Sequence, residues 1–243
     1  MHPEHVTVVV PTYNERENIS SLAPAVLDQG FRLLIVDDGS PDGTGDLADA
    51  LADGEERMTV LHRSHKQGLG PAYAHGFKVA IDAGADVVCE MDADFSHDPR
   101  DLPRLVEAIE NGADLAIGSR YVPGGATPDW PPHRRFLSRG GNLYARLALG
   151  LGVRDSTAGF RAYRSECAAQ LDAASCSASG YGFQVEMTMR AVDAEFRVDE
   201  VPVTFRDRQY GTSKMSGSIV VEAMWLVTQW GVKRRLRQLR SAK

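Results

Sequence analysis

The feature that most constrains the fold of this chain is an alternation of short apolar runs with amphipathic segments over its first half. Apolar, mostly β-branched runs lie at positions 6–10, 33–36, 59–61, 87–91 and 115–117. Helical patterns lie between them, at about 15–27, 46–51, 72–83 and 102–109. Parallel strands need a crossover connection, usually a helix, so this order predicts an α/β fold with a mostly parallel sheet flanked by helices.

The second half of the chain has a different pattern. Residues 121–135 contain four prolines and a Gly-Gly pair, which predicts a long loop. We expect helices at about 138–149, 181–192 and 218–239, a strand at 197–205 and irregular chain at 153–164. No linker composition separates the two halves, so we expect one domain whose second half is built onto the first.

The charge distribution argues against a nucleic-acid-binding protein. The net charge is −6, yet residues 120–164 hold eight arginines and two aspartates, and residues 233–243 hold six basic and no acidic residues. Local basic regions in an acidic protein indicate a bound anion or a membrane surface. The three cysteines lack a Cys-x-x-Cys pair, which favours free thiols in a reducing cytosol over zinc binding. The amino end lacks the pattern of a signal peptide.

Acidic side chains follow several of the predicted strands. Asp92 and Asp94 come directly after the run at 87–91. On an extended segment, side chains two residues apart point the same way, so both carboxylates would meet at the sheet edge where α/β proteins bind ligands. Such oxygens suit Mg²⁺ or Mn²⁺, although a solvated acidic loop is the alternative. Asp37 and Asp38 follow the second run, in front of a Ser-Pro-Asp-Gly turn sequence.

The turn after the first strand helps to define the ligand class. It contains Tyr13 and Glu15 but neither a Gly-x-Gly-x-x-Gly turn nor a phosphate-binding loop with Gly-Lys-Ser/Thr. A cleft lined by carboxylates and holding a metal suits a sugar nucleotide. Carboxylates accept hydrogen bonds from ribose or base, Tyr13 can stack on the base, and the metal binds the diphosphate.

Four motifs occur in order along this half of the chain: Pro-Thr-Tyr-Asn-Glu at 11–15, Val-Asp-Asp-Gly-Ser-Pro-Asp-Gly-Thr at 36–44, Met-Asp-Ala-Asp at 91–94 and Ile-Gly-Ser-Arg-Tyr at 117–121. Together they resemble the inverting family 2 glycosyltransferases, which have the Rossmann-like GT-A fold. The segments 118–125, 130–131, 158–163, 180–184 and 208–215 narrow the resemblance to dolichol- and polyprenol-phosphate mannose synthases, most of all the actinobacterial type. The resemblance runs from about residue 6 to residue 231.

The resemblance implies a role for each matching residue. The donor nucleotide would be held by Pro11, Tyr13, Glu15, Val36 and Asp38, with Asp37 adjacent. The metal and diphosphate site matches Asp92, Ala93 and Asp94. Related synthases often have a glutamine as a further metal ligand where this chain has Ser96, so the third protein ligand is expected to be a hydroxyl that binds directly or through water.

Basic residues are implied for both phosphate groups. Arg120, Arg134 and Ser138 match the acceptor-phosphate pocket, and Arg208 and Lys214 match a loop that clamps the donor phosphates. Arginine suits phosphate oxygens, and two phosphorylated substrates must overcome their mutual repulsion. We therefore expect Asp94, Arg120 and Arg134 to carry catalysis.

The implied reaction is attack of a polyprenyl phosphate oxygen on the anomeric carbon of GDP-mannose, with inversion and loss of GDP. A phosphate monoester is already anionic near neutral pH, so no general base is required, and His97 and His133 are expected to be structural. The domain would divide into a nucleotide-sugar-binding half at 1–120, an acceptor-binding half at 121–215 and an amphipathic, basic C-terminal helix at 216–243.

A lipid acceptor implies contact with a membrane, and we expect a peripheral protein on the cytoplasmic face. Residues 219–232 are mostly apolar but too few to span a bilayer, and a basic segment follows them. The helix can also pack on the core, and both can hold. A separate membrane anchor protein is an open alternative. Three further alternatives stay open: UDP-glucose as the donor, a saccharide as the acceptor, and a non-catalytic subunit that binds a sugar nucleotide. A nucleotidyltransferase would need a Gly-rich, Lys-containing amino-terminal loop, which this sequence lacks.

Overall fold

The computed structural model describes residues 2–178, 180–207 and 217–241, which form a seven-stranded sheet with helices on both faces. The strands are β1 Val6–Thr12, β2 Arg32–Asp37, β3 Met58–His62, β4 Val87–Glu90, β5 Leu115–Ser119, β6 Arg161–Arg164 and β7 Val198–Pro202. The α-helices are α1 Arg16–Leu27, α2 Thr44–Ala52, α3 Leu69–Asp82, α4 Leu102–Glu110, α5 Pro132–Leu149, α6 Ser165–Leu171, α7 Tyr181–Asp193 and α8 Gly217–Ser241.

The order of strands across the sheet is β3-β2-β1-β4-β6-β5-β7. Neighbouring strands are parallel, except that β6 runs antiparallel to both β4 and β5. The predicted α/β class with a mostly parallel, helix-flanked sheet is confirmed, and so is the helix at the carboxyl end. The parallel strands β2, β1 and β4 bring their carboxyl ends to one edge, where the predicted donor site lies.

The expectation of irregular chain at 153–164 is wrong for its last four residues. They form β6, which inserts between β4 and β5, and α6 follows at once. The strand is hard to recognise because Arg161, a residue typical of surfaces, is fully buried in it. Its guanidinium donates hydrogen bonds to the carbonyl oxygens of Ala158 at 2.7 Å and Ser156 at 2.8 Å, which satisfies its donors inside the protein.

Helix α5 begins at Pro132, six residues before the predicted start at 138. Pro131 precedes it with extended backbone, and proline is well suited to the first helical turn because its missing N–H is not needed there. The prolines and the Gly-Gly pair of residues 121–135 predict a loop over this whole stretch, so the prediction is wrong for its last four residues. The earlier start matters because Arg134 and Ser138, four residues apart, now lie on one face of a single helix.

Alternating side chains of β1 pack into two cores on opposite faces of the sheet. Val8 and Val10 pack among residues of α1 and α4, and Val9 packs among residues of α3 and α7. Helix α3 lies directly on the sheet at Gly76, where a Cβ atom would meet Val9 and would lie 3.1 Å from Cγ2 of Val36. A third, smaller core joins α5, α7 and α8.

Candidate active site

The carboxyl ends of β1 and β2 lie side by side, because Thr12 pairs with Asp37 across the two strands. This edge carries six predicted nucleotide-binding residues: Pro11, Tyr13, Glu15, Val36, Asp37 and Asp38. The Asp37 carboxylate is buried and accepts hydrogen bonds from the Thr12 hydroxyl at 3.0 Å and the Ser40 hydroxyl at 2.6 Å. Asp37 therefore holds the turn after β2 in shape.

Two basic residues that were not predicted join this edge from the segment after β3. Arg63 Nη1 lies 2.7 Å from Asp38 Oδ1, and each side chain is only 7% exposed. Burial raises the pKa of Asp38, while the charge of Arg63 opposes that effect. The Lys66 Nζ lies 4.3 Å from the centre of the Tyr13 ring, a cation–π distance. The predicted nucleotide-binding edge thus combines acidic, aromatic and basic groups.

The Asp-Ala-Asp segment lies in a turn and not on a strand. Strand β4 ends at Glu90, and Ala93 and Asp94 are turn residues, so the expected extended geometry is wrong. Asp94 is buried and its Oδ1 accepts a hydrogen bond from the Ser96 N–H at 3.0 Å. The Asp92 Oδ1 lies 3.5 Å from the Tyr73 hydroxyl, which donates to it.

The donor atoms of this turn fit a divalent cation. The carboxylates of Asp92 and Asp94 and the hydroxyl of Ser96 are hard oxygen ligands, the type that Mg²⁺ and Mn²⁺ prefer. Within the described residues, no group of three or more His, Cys, Asp or Glu side chains could hold a metal ion. An ion bound by two carboxylates therefore needs further oxygens, and a substrate diphosphate and water can supply them.

A cavity of about 110 Å³ brings the three predicted acceptor-phosphate residues together. Arg120, Arg134 and Ser138 all line it. Most of the remaining wall is apolar, with contributions from Leu137, Ala145 and Val185 and from Met224 and Val227 of α8. A pocket with cationic groups and an apolar wall suits an anion attached to a hydrocarbon.

Arg120 is locked in place by Asp155, a residue that was not predicted for the site. The Asp155 carboxylate accepts hydrogen bonds from the backbone N–H of Arg120 at 2.9 Å, from its Nε at 2.7 Å and from its Nη2 at 2.6 Å. The two side chains are 5% and 0% exposed, respectively. Burial alone would raise the pKa of Asp155, but the charge and hydrogen bonds of Arg120 bring it below its usual value.

Arg134 and Ser138 present a less enclosed part of the cavity. The Arg134 guanidinium stacks on the Trp130 ring, with 4.1 Å from its carbon to the ring centre. Its Nη1 donates to Oδ1 of Asp207 at 2.7 Å. The Ser138 hydroxyl accepts a hydrogen bond from the Tyr121 hydroxyl at 2.6 Å. The arrangement offers an arginine fork and a hydroxyl close to the same cavity.

The sequence of the chain matches the model of the family described as Glycosyl transferase family 2 over residues 7–171. The chain belongs to this family. The predicted glycosyltransferase is thereby confirmed, and the matched residues include the predicted nucleotide-binding edge, the Asp-Ala-Asp turn and most of the residues that line the cavity of Arg120, Arg134 and Ser138.

Relatives of this glycosyltransferase give a narrower comparison. It is 49% identical to the polyprenol monophosphomannose synthase of Mycolicibacterium smegmatis, over 98% of this chain and 91% of that protein. It is 49% identical to the undecaprenyl-phosphate mannosyltransferase of Micrococcus luteus, over 97% of this chain and 98% of that protein. Among solved structures, a mannosyltransferase from Pyrobaculum calidifontis in complex with GDP-Man and Mn²⁺ has a TM-score of 0.58 at 16% identity. That likeness, over 99% of this chain and 76% of the other, shows a common fold.

A buried polar network lies behind the Asp-Ala-Asp turn of the glycosyltransferase. Glu90, at the end of β4, is fully buried and accepts hydrogen bonds from Gln184 Nε2 at 2.8 Å and from the Tyr163 hydroxyl at 3.1 Å. Burial raises the pKa of Glu90 to about 7, against the opposing charge of Arg161 and these two hydrogen bonds. The network connects β4, β6 and α7 beneath the turn.

The two histidines near the site differ in environment. His97 is buried, lies 4.7 Å from the Phe160 ring in a stacked arrangement and meets the Phe205 ring edge-on at 5.0 Å. Burial, together with the charge of Arg120, lowers the pKa of His97 to about 4, so it is neutral near pH 7. His133 is exposed on α5. The packing of His97 agrees with the expected structural role.

Arg208 and Lys214 lie outside the described residues. The sequence does not predict Asp155, Asp207, Arg63 or Lys66 as residues of the site. Asp155 had a usable signal, since it is one of only two acidic residues in the arginine-rich stretch at 120–164. Arg63 and Lys66 follow a weak strand pattern in a segment without a recognised motif, so no comparable signal marked them.

Proposed function

We propose that this glycosyltransferase transfers mannose from GDP-mannose to a polyprenyl phosphate, giving a β-linked polyprenyl phosphomannose. The observation that carries the proposal is the cavity in which Arg120, Arg134 and Ser138 meet an apolar wall formed partly by α8. A phosphate with an isoprenoid chain matches both parts of that surface. The two relatives that are 49% identical are named for mannose transfer to such lipids.

The donor would lie along the edge formed by β1, β2 and β4. Tyr13 and Asp38 would contact the nucleoside, and Asp92, Asp94 and Ser96 would hold Mg²⁺ or Mn²⁺. When bound, such an ion supplies positive charge that stabilises the departing diphosphate. Arg208 and Lys214 are proposed, by resemblance alone, to add positive charge at the donor phosphates.

The acceptor phosphate would attack without a general base, because its second pKa is about 6 and it is largely ionised at neutral pH. Arg134 and Ser138 would orient it, and Arg120, fixed by Asp155, would set the floor of its pocket. Catalysis would then come from positioning and from charge stabilisation. The stacked, neutral His97 has no role in proton transfer under this proposal.

A transfer assay tests the donor, the acceptor and the metal together. Purified protein is incubated with radiolabelled GDP-mannose or UDP-glucose and undecaprenyl phosphate, with EDTA, Mg²⁺ or Mn²⁺. We expect lipid-soluble label from GDP-mannose, its loss with EDTA and its recovery with metal. Lipid-soluble label only from UDP-glucose, or from neither donor, would overturn the proposal, and EDTA-resistant transfer would overturn the metal assignment.

We further propose that α5 and α8 rest on the cytoplasmic face of a membrane. The large hydrophobic side chains that are exposed in the described residues all lie on these two helices: Phe136, Leu137, Leu143, Leu147, Met224, Trp225, Val232 and Leu236. The two helices contact each other, and the hydroxyls of Tyr144 on α5 and Thr228 on α8 are hydrogen-bonded at 2.6 Å. The proposed acceptor cavity lies between the helices. Basic residues from 233 onward would meet anionic headgroups, except Arg234, which pairs with Asp193 and donates to the Leu149 carbonyl.

Within the described part of the chain, no helix has the length and hydropathy needed to cross a bilayer. Flotation with vesicles containing phosphatidylglycerol tests the surface contact. We expect the double variant Phe136→Ser/Trp225→Ser, or deletion of residues 233–243, to reduce the bound fraction relative to the full chain. The exposed Lys78→Ser on α3 is the control. Equal binding by all variants would contradict the proposal, and binding that needs a second protein would favour a separate anchor.

A further inference from the structure

We propose that Asp207 competes with the acceptor phosphate for Arg134. Its carboxylate binds the Arg134 guanidinium until a phosphate monoester displaces it. The inference rests on the proposed function, because it takes Arg134 as part of the acceptor-phosphate pocket. Asp207 would then be a further residue of that pocket. It binds no substrate, but it determines how tightly the pocket binds the acceptor.

The geometry of the pair is that of an arginine holding an oxyanion. The Arg134 Nη1 donates to Oδ1 of Asp207 at 2.7 Å, while the flat face of the guanidinium stacks on Trp130. The edge of the guanidinium is therefore the part that binds anions, and the Asp207 carboxylate already takes one of its donors, Nη1. Carboxylate and phosphate oxygens use the same donors of an arginine fork, so a phosphate that binds the fork through Nη1 must displace Asp207 from that donor.

The position of Asp207 is determined by the backbone that leads to it. The Phe205 N–H donates to the Ala126 carbonyl at 2.9 Å, and the Arg206 N–H donates to the Ser96 carbonyl at 3.0 Å. The Phe205 ring also packs edge-on against Trp130, with 5.2 Å between the ring centres. The segment is thus anchored both to the long loop and to the Asp-Ala-Asp turn, and Asp207 is held beside Arg134.

The two ion pairs of the pocket differ in how easily a phosphate could displace the carboxylate. The charge of Arg120 is matched by Asp155 in a fully enclosed pair. Arg134 and Asp207 form a more open pair, with side chains 27% and 46% exposed. Exposed ion pairs are weak, so a phosphate dianion can replace Asp207 at small cost, whereas it cannot replace Asp155.

A competitor of this kind has a distinctive kinetic signature. The acceptor is a phosphate monoester and the lipid product is a phosphodiester, and each must displace the same carboxylate. Removal of Asp207 should therefore tighten the binding of both by the same factor. A general loss of negative charge near the pocket would instead favour the more highly charged monoester.

The test compares Asp207→Asn with the native chain and with the control Asp199→Asn. Asp199 pairs with Arg197 at 2.8 Å, with side chains 35% and 57% exposed, so the control breaks a similarly exposed pair on β7. We expect Asp207→Asn to lower the KM for undecaprenyl phosphate, and the Ki of the lipid product, by about fivefold, or about 1 kcal/mol. Asp199→Asn should leave both values unchanged. In an Arg134→Gln background the effect of Asp207→Asn should vanish.

Calorimetric binding of geranyl monophosphate to the proteins without donor separates this inference from the proposed function. If geranyl monophosphate binds Asp207→Asn about fivefold more tightly than the native chain, the role of Asp207 is supported even if no mannose is transferred. Equal binding to both proteins, or no binding to either, overturns it. So does a gain for Asp207→Asn that persists in the Arg134→Gln background, or one that is larger for the acceptor than for the product.

Discussion

Replacement of Asp155 by asparagine should destabilise this glycosyltransferase far more than the loss of one surface charge. The Asp155 side chain is completely buried, and its carboxylate accepts three hydrogen bonds from Arg120. Asparagine keeps one acceptor oxygen but removes the charge that balances a guanidinium which is itself 5% exposed. The variant would leave a positive charge buried without its partner.

Removal of one member of a buried ion pair costs about 3–5 kcal/mol, which is a large part of the 5–15 kcal/mol that stabilises a typical domain. For a chain of this size we expect the melting temperature to fall by about 6–20 °C. Asp199→Asn breaks an exposed pair and should cost no more than about 1 kcal/mol.

The assay is equilibrium unfolding in urea, followed by tryptophan fluorescence and far-UV circular dichroism, for both variants. The pKa of Asp155 is lowered in the folded protein, so its contribution is present above its unfolded pKa of about 4 and is lost as the pH falls through its lower folded value. The difference in the free energy of unfolding between the native protein and Asp155→Asn should therefore be constant from about pH 5 to 8.

A double variant tests the cause of the effect. Arg120→Met/Asp155→Leu removes both charges and should be more stable than Asp155→Asn, because no unpaired charge is left buried. An Asp155→Asn variant that is no less stable than Asp199→Asn, or a double variant that is no more stable than Asp155→Asn, would refute the cost assigned to the unpaired Arg120 charge.

Three further predictions concern catalysis, pH and packing. Asp94→Ala should lower turnover by about 10²–10³-fold with an unchanged circular dichroism spectrum, and near-native activity would contradict the metal assignment. Because burial lowers the pKa of His97 to about 4, the free energy of unfolding of the native protein relative to His97→Phe should decrease by up to about 3 kcal/mol as the pH falls from 6.5 to 4, measured as urea midpoints of both proteins. Glu90, whose raised pKa of about 7 acts in the opposite direction, is common to both proteins and cancels in this difference. Gly76→Ala should lower the free energy of unfolding by about 1–3 kcal/mol in urea, because its methyl group meets Val9 and Val36, and an unchanged midpoint would refute close packing there.

The sequence predicts the sheet well where the pattern of side chains matches their burial. β1 and β4 are mostly apolar, and all their residues except Pro11 are buried, so their runs of valine are unambiguous. β6 carries Arg161 in the interior, and the first turn of α5 consists of proline and charged residues. In both segments the local sequence pattern indicates a loop. The strand and the first helical turn form because of contacts with residues that are distant in the sequence.

The candidate site is predictable as far as its residues lie in motifs. Asp92, Asp94 and Arg120 belong to recognisable strings of residues, but their partners do not. Asp155 follows Arg120 by 35 positions, and Asp207 follows Arg134 by 73. Such pairs depend on how β6 and the segment after β7 return to the sheet edge, which composition and periodicity do not specify.

Burial divides the ion pairs of this site into two kinds with different functions. Asp38 with Arg63, and Arg120 with Asp155, have side chains no more than 7% exposed, and a substrate would have to break a costly pair to use either charge fully. These pairs therefore fix the shape of the predicted nucleotide-binding edge and of the proposed acceptor pocket. An exposed pair such as Arg134 with Asp207 can exchange one oxyanion for another at little cost. Substrate charge should consequently be recognised where the protein's own pairing is weakest, and substitutions at the two kinds of pair should separate loss of stability from change in affinity.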